Sequence, residues 1–164
     1  MGKAKKRLRC SKALWMIIAN YYMQGKKYEK EGIVGWVPPM NGAIEVMHAA
    51  GIYPVILENW APVCAATGKA IDCFNSIERA GYSRDLCGYL RCELGYALYH
   101  LGDRSFIFGG LPKPHFLVTY GGACIPSMKT WQVLAEKMDA KVFVADVPQI
   151  RADDVSEEHI EYYA

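Results

Sequence analysis

Two periods alternate along this chain. Short apolar runs of four to six residues occur at 33–37, 52–57, 116–120 and 141–145. Their length and β-branched or aromatic content predict strands. Between them, apolar residues return every three or four positions, the repeat of a helix with one buried face. Such stretches cover 12–23 (Leu14, Ile17, Ile18, Tyr21, with Ser11 as a cap), a start at Asn41 or Gly42 through Ala50, and 64–80 (Ile71, Phe74, Ile77). Two more cover 89–101 (Leu90, Leu94, Ala97, Leu101) and a start at Pro126 or Ser127 through Met138 (Met128, Trp131, Leu134, Ala135). Turn residues punctuate the series: Gly25, Pro38-Pro39, Gly51, the corner Glu58–Pro62, Gly81, Gly102-Asp103, Gly109–Pro114, Gly121–Cys124 and Pro148. Pro54 inside a strand run predicts an edge or entry position. Strand, turn, helix and strand in that order predict βαβ units, hence a parallel sheet with right-handed connections and flanking helices. The expected division is a basic lead-in and helix over 1–32, a cysteine-bearing α/β domain over 33–148, and an acidic segment over 149–164 with no evident closing element.

Composition narrows this picture. Of 164 residues, 52% are hydrophobic and 22% charged, enough apolar surface for a core and too little charge for global disorder. The formal charge of +2 is gathered at Lys3, Lys5, Lys6, Arg7, Arg9 and Lys12. With no base-reading motif or repeated aromatic platform beside it, this run reads as a solvated face, and no nucleic-acid partner is expected. Residues 13–19 are apolar but too short to span a bilayer, so no membrane span is expected. Without a leader pattern, the six cysteines (Cys10, Cys64, Cys73, Cys87, Cys92, Cys124) are assigned to a reducing, cytoplasmic compartment, where thiol chemistry or metal binding is open. No CxxC pair marks a zinc ribbon, and Gly109-Gly110 lacks the GxGxxG order of a dinucleotide site. Cys64 and Cys73 read as packing residues.

Cys87 and Cys124 differ from the others. Each stands at a turn immediately before a helical stretch, where backbone N–H groups favour a thiolate. Thiolates suit iron–sulfur centres, zinc and other soft metals. Two are too few for an ordinary four-cysteine cluster, and the alternative for each is a small packed hydrophobe.

The stretch Gly81-Tyr82-Ser83-Arg84-Asp85-Leu86-Cys87-Gly88-Tyr89-Leu90-Arg91 resembles the 2-hydroxyacyl-CoA dehydratase and benzoyl-CoA reductase family, as the N-terminal part of a catalytic subunit. The resemblance extends over most of 33–148 through Glu45–Gly51, Tyr53–Asn59, Leu111-Pro112-Lys113-Pro114, then Cys124, Lys129, Trp131 and Asp146-Val147-Pro148. It implies a Rossmann-like leading domain of a longer subunit and an Fe–S-dependent acyl-CoA enzyme. Cys87 and Cys124 would hold a [4Fe-4S] cluster, with a third cysteine from a later domain. It implies a related second subunit and a separate Fe–S activator that uses ATP. It also implies a radical mechanism, in which one low-potential electron turns the thioester into a ketyl that loses hydroxide and a proton before returning the electron. Aromatic reductases of the family keep the electrons in the product.

Other candidates follow from position. Glu45 could orient a pocket, His48 transfer protons, and Tyr89 cover the cluster or bond a ligand. Arg91 and Lys129 could meet the phosphates of CoA. The ordinary roles are a solvated carboxylate, a packed histidine, interface packing and surface ion pairs. His115 stands where the family commonly has a carboxylate. Two readings of another class remain: a noncatalytic assembly or scaffold subunit, and a zinc-stabilised α/β domain.

Overall fold

The structure, a computed structural model, describes residues 8–39, 43–121, 124–147 and 155–163. The basic run at 3–7, the expected helix start at Asn41 or Gly42, the turn residues Gly122 and Ala123, Pro148 and the acidic residues before 155 lie outside the described residues. The elements are α1 (Arg9–Glu31), β1 (Val34–Val37), α2 (Ala43–Ala49), β2 (Tyr53–Ile56), α3 (Leu57–Ala66), α4 (Ala70–Arg79), α5 (Gly88–Tyr99), a 3-10 turn (Ile107–Gly109), β3 (Phe116–Tyr120), α6 (Ile125–Met138), β4 (Lys141–Ala145) and α7 (Glu157–Tyr163).

All four strands pair in parallel, in the order β2-β1-β3-β4. β1 pairs with β2 from Val34↔Tyr53 to Val37↔Ile56, and β3 with β4 from Phe116↔Lys141 to Tyr120↔Ala145. β1 is central and buried along its whole length, as a strand covered on both faces must be. Pro54 lies on the outer strand β2, where its missing N–H costs no ladder bond, as expected. β3 alternates: Leu117 and Thr119 are buried, while Phe116, Val118 and Tyr120 are half-buried. Leu117, with Val34, Trp36 and Val55, joins the main core of Tyr22, Trp60, Tyr96, Trp131 and Leu134. Phe116, Val118 and Tyr120 pack on a smaller cluster around Val37 and Met47 of α2. The sheet therefore carries a thick helical layer on one face and a thin one on the other.

Several boundaries differ from the sequence pattern. α1 does not stop at Gly25 but runs to Glu31, and Gly32 ends it in a left-handed conformation (φ 77°). Gly25 serves close packing instead: a Cβ there would sit 2.8 Å from Pro112 Cγ. Ser11 lies inside α1, and Leu8 precedes the helix without a side-chain cap. Ile18 and Tyr21 face the core as expected, but Leu14 and Ile17 are 57% and 66% exposed. Tyr22 fills the core in their place, and the Tyr53 hydroxyl donates to the Tyr21 carbonyl at 2.6 Å. The single helix expected over 64–80 is two. β2 passes directly into α3, which absorbs the Glu58–Pro62 corner, and the chain turns at Gly68 (φ 79°) before α4. The Thr67 hydroxyl closes α3 by donating to the carbonyls of Val63 (2.8 Å) and Cys64 (3.1 Å). The acidic end does form an element, α7, tied to the sheet's carboxyl edge by a hydrogen bond from the Tyr162 hydroxyl to Asp146.

Candidate functional site

The strand order places a topological switch between β1 and β3, because the chain winds outward to β2 on one side and to β4 on the other. In open parallel sheets the crevice outside the carboxyl ends at such a point is where ligands bind. Cys124 lies there. It follows β3, is exposed, and is the N-cap residue of α6. Cys87 is likewise exposed and is the N-cap residue of α5, the helix that packs against α6. Neither sulfur makes a capping hydrogen bond. Their carbonyls accept the first helical bonds, from Arg91 N (2.9 Å) and Met128 N (3.1 Å). Both thiols thus stand at a helix N-terminus without a capping bond. Thiol donors of this kind suit a soft metal or an iron–sulfur cluster.

The other candidates sit as follows. Glu45 is in the first turn of α2 and His48 near its end, both on the exposed side. Tyr89 is 46% exposed, two residues beyond Cys87. Lys129 is exposed on α6, and its Nζ donates to Gln132 Oε1 at 3.1 Å. Arg91 is largely sequestered. It pairs with Glu78, donates to the Arg84 carbonyl at 3.2 Å, and lies over the Phe74 ring at 4.3 Å from the centroid. The ordinary ion pair is therefore formed, with both side chains under one-fifth exposed. His115 is structural: its Nδ1 accepts from Val34 N (3.2 Å) and its own N–H donates to the Val34 carbonyl (2.9 Å), fixing β1 beside the start of β3.

The structure also brings together residues that sequence reading kept apart. Cys64 of α3, Cys73 of α4 and Cys92 of α5 are all buried, with their three sulfurs within 4.8 Å of one another. Their thiols interact: hydrogen bonds with Cys64 and then Cys92 hold the Cys73 thiol down, while Cys64 is pushed up chiefly by Cys73, and Cys92 by Cys64 first and Cys73 second. This group is a potential metal site. Beside Cys92, Glu93 is 2% exposed, and its Oε1 has no hydrogen-bond partner. Burial, with the negative charge of Glu58 behind it, pushes its carboxyl up to about 8. A second apolar stripe on α5 (Cys92, Gly95, Tyr96) was the available signal that this helix is buried nearly all round. Elsewhere, a surface cleft of about 600 Å³ is lined by Lys26, Lys30, Arg104 and Lys113 against one acid, Glu29, a balance that attracts anions. Among the described residues, no helix is long and apolar enough to cross a membrane.

Fold and thiols together define the class: a parallel α/β domain of Rossmann-like character, with cysteines suited to a soft metal. Residues 40–164 match the family described as 2-hydroxyglutaryl-CoA dehydratase, D-component, and the chain belongs to that family. It is 28% identical over 130 residues to the (R)-phenyllactyl-CoA dehydratase alpha subunit of Clostridium sporogenes, covering 79% of this chain and 30% of that protein. It is 29% identical over 150 residues to the (R)-2-hydroxyisocaproyl-CoA dehydratase alpha subunit of Clostridioides difficile, covering 89% and 35%. A third relative, the lactoyl-CoA dehydratase subunit alpha of Anaerotignum propionicum, is 29% identical over 112 residues, covering 62% and 26%. The match therefore spans about a third of the length of these curated relatives.

Proposed function

We propose that this chain is the leading, cluster-bearing domain of an acyl-CoA dehydratase or aromatic acyl-CoA reductase subunit. Cys87 and Cys124 provide two ligands of a [4Fe-4S] cluster, and a third comes from outside this chain. The observation that carries this reading is the position of Cys124 at the switch point, with Cys87 as the matching exposed cap of the neighbouring helix. Family membership supports the substrate class. When bound, the cluster supplies low-potential one-electron chemistry to an acyl thioester. The chain's own residues do the rest. The N-termini of α5 and α6 stabilise the two thiolates. Tyr89 screens the Cys87 side from water, while Glu45 and His48 orient and carry protons from α2. Lys129 meets CoA phosphate directly; Arg91 acts through the loop it holds to Glu78. A related second subunit encloses the site, and a separate ATP-using Fe–S protein delivers the electron.

The test is anaerobic reconstitution with iron and sulfide, followed by analysis of iron, acid-labile sulfide and zinc. Cys87→Ser and Cys124→Ser should each lose most of the cluster absorbance and iron, while Cys10→Ser keeps both. Unchanged iron in both cap variants overturns the ligand assignment. Zinc without sulfide in the wild type favours a zinc-stabilised domain instead. Conversion of 2-hydroxyacyl-CoA by the full-length protein with its partner and activator separates a dehydratase from a scaffold subunit.

A further inference from the structure

The buried sulfurs of Cys64, Cys73 and Cys92 form a group distinct from the two exposed caps, although Cys92 shares α5 with Cys87. We propose that they bind a single copper(I) ion in a three-coordinate, all-sulfur site at the junction of α3, α4 and α5. Four observations carry this. First, size: three sulfurs bound about 2.3 Å from one ion stand roughly 4 Å apart at the corners of a triangle, and the three here lie within 4.8 Å of one another. A cluster in which each sulfur holds a different iron would set the sulfurs farther apart than one shared ion does, and these lie within 4.8 Å of one another. Second, the spacing is set by backbone. Gly95 of α5 lies so close to α4 that a Cβ would fall 2.2 Å from the Cys73 carbonyl oxygen. The helices therefore meet at this level whatever the side chains do, and the thiols are held in place before any ion arrives. Third, ligand number: structural zinc takes four ligands, whereas this group contains three cysteine donors. Thiolates without a fourth donor suit copper(I), a soft ion. Fourth, the contact is shared among three helices, so no single disulfide satisfies it; any pair would leave the third thiol over.

Binding balances as follows. Copper(I) forms three Cu–S bonds, two thiols give up their protons to solvent, and the third sulfur coordinates as a thiol. No electrons move. The buried site then carries a single net negative charge. His100 stands beside this part of α4, its Nε2 2.9 Å from Ser76 Oγ and 3.4 Å from the Asp72 carbonyl.

The experiment uses the chain carrying Cys10→Ser, Cys87→Ser and Cys124→Ser, which leaves these three thiols alone. Copper(I) is titrated anaerobically against a competing chelator, with zinc(II) in a parallel arm. Expected are one copper per chain, an X-ray absorption first shell of three sulfurs, and a raised thermal midpoint, since the ion binds only the folded state. Cys64→Ala, Cys73→Ala and Cys92→Ala in that background should each weaken copper binding by at least about 100-fold, beyond the 10- to 100-fold of an outer-shell change. The absorption shell is read on the parent, so a variant that fails to fold does not decide the matter. Copper held no more tightly than by a thiol-free chain, a shell containing nitrogen or oxygen, or preferential zinc binding with four ligands would each overturn the proposal. The iron analysis of the two caps is unaffected by either result.

Discussion

Glu93→Gln tests the core of the helical layer through pH. Glu93 is 2% exposed and its Oε1 is without a partner, so the charged form lacks a replacement for water at that oxygen. Its carboxyl stands at about 8 instead of 4.5, first through burial and then through the charge of Glu58. At about 1.4 kcal/mol per pKa unit, the folded protein disfavours the ionised form by at most about 5 kcal/mol. The sign follows from proton counts: between pH 4.5 and 8 the folded state holds a proton that the unfolded state has released. Stability from this group is therefore full below about 4.5, falls across the window, and is level above about 8. Glutamine keeps the shape and removes the charge. Urea unfolding of both proteins from pH 5 to 8.5 isolates the group by difference, because other titrating groups such as Cys73 are common to both. The variant should gain on the wild type by a few kcal/mol across the range, with most of the change between pH 5 and 8. Parallel stability curves would refute the reasoning and put Glu93 in contact with water or a cation.

Other perturbations give separate outcomes. Gly95→Ala should destabilise by about 2 kcal/mol or more, against the ~1 kcal/mol that alanine gains over glycine in a helix, because its Cβ meets the backbone of Cys73; a higher urea midpoint would show that α4 and α5 do not touch here. Tyr96→Phe removes the acceptor, 2.6 Å away, of the buried Leu111 N–H, and should cost about 1–3 kcal/mol by thermal unfolding, whereas Tyr99→Phe, on an exposed ring, should cost less than about 0.5. Glu78→Gln leaves the Arg91 guanidinium facing a neutral amide, and a loss of about 1–3 kcal/mol is expected, with faster proteolysis in the 80–87 turn; an unchanged cleavage rate would argue that Arg91 does not hold this segment.

The strands and the switch-point thiol were legible because they depend on local signals. Runs such as Phe116–Tyr120 carry their period in five residues, and Pro54 on an outer strand follows from the chemistry of one missing N–H. Cys87 and Cys124 could be placed before helices because turn and helix signals flank them directly. The failures share a different cause. Gly25 looks like a stop signal, yet α1 passes through it because Pro112 and Tyr53, far away in sequence, press on a position where a side chain would not fit. Gly68 breaks the helix expected over 64–80 even though apolar spacing continues across it, and the break turns α4 so that Cys73 meets Cys64 and Cys92. That triad has no spacing rule: its members come from three helices, and their meeting depends on Gly95 admitting the backbone of α4. Glu93 was invisible for the same reason, since an acidic residue on a helix reads as solvent-facing until the neighbours on every side are known. The two thiol groups therefore differ in kind. The exposed caps are set by where helices start, and changing their surroundings shifts reactivity more than fold. The buried triad is set by how helices pack, so its affinity for an ion and the stability of the α3–α5 layer should rise and fall together.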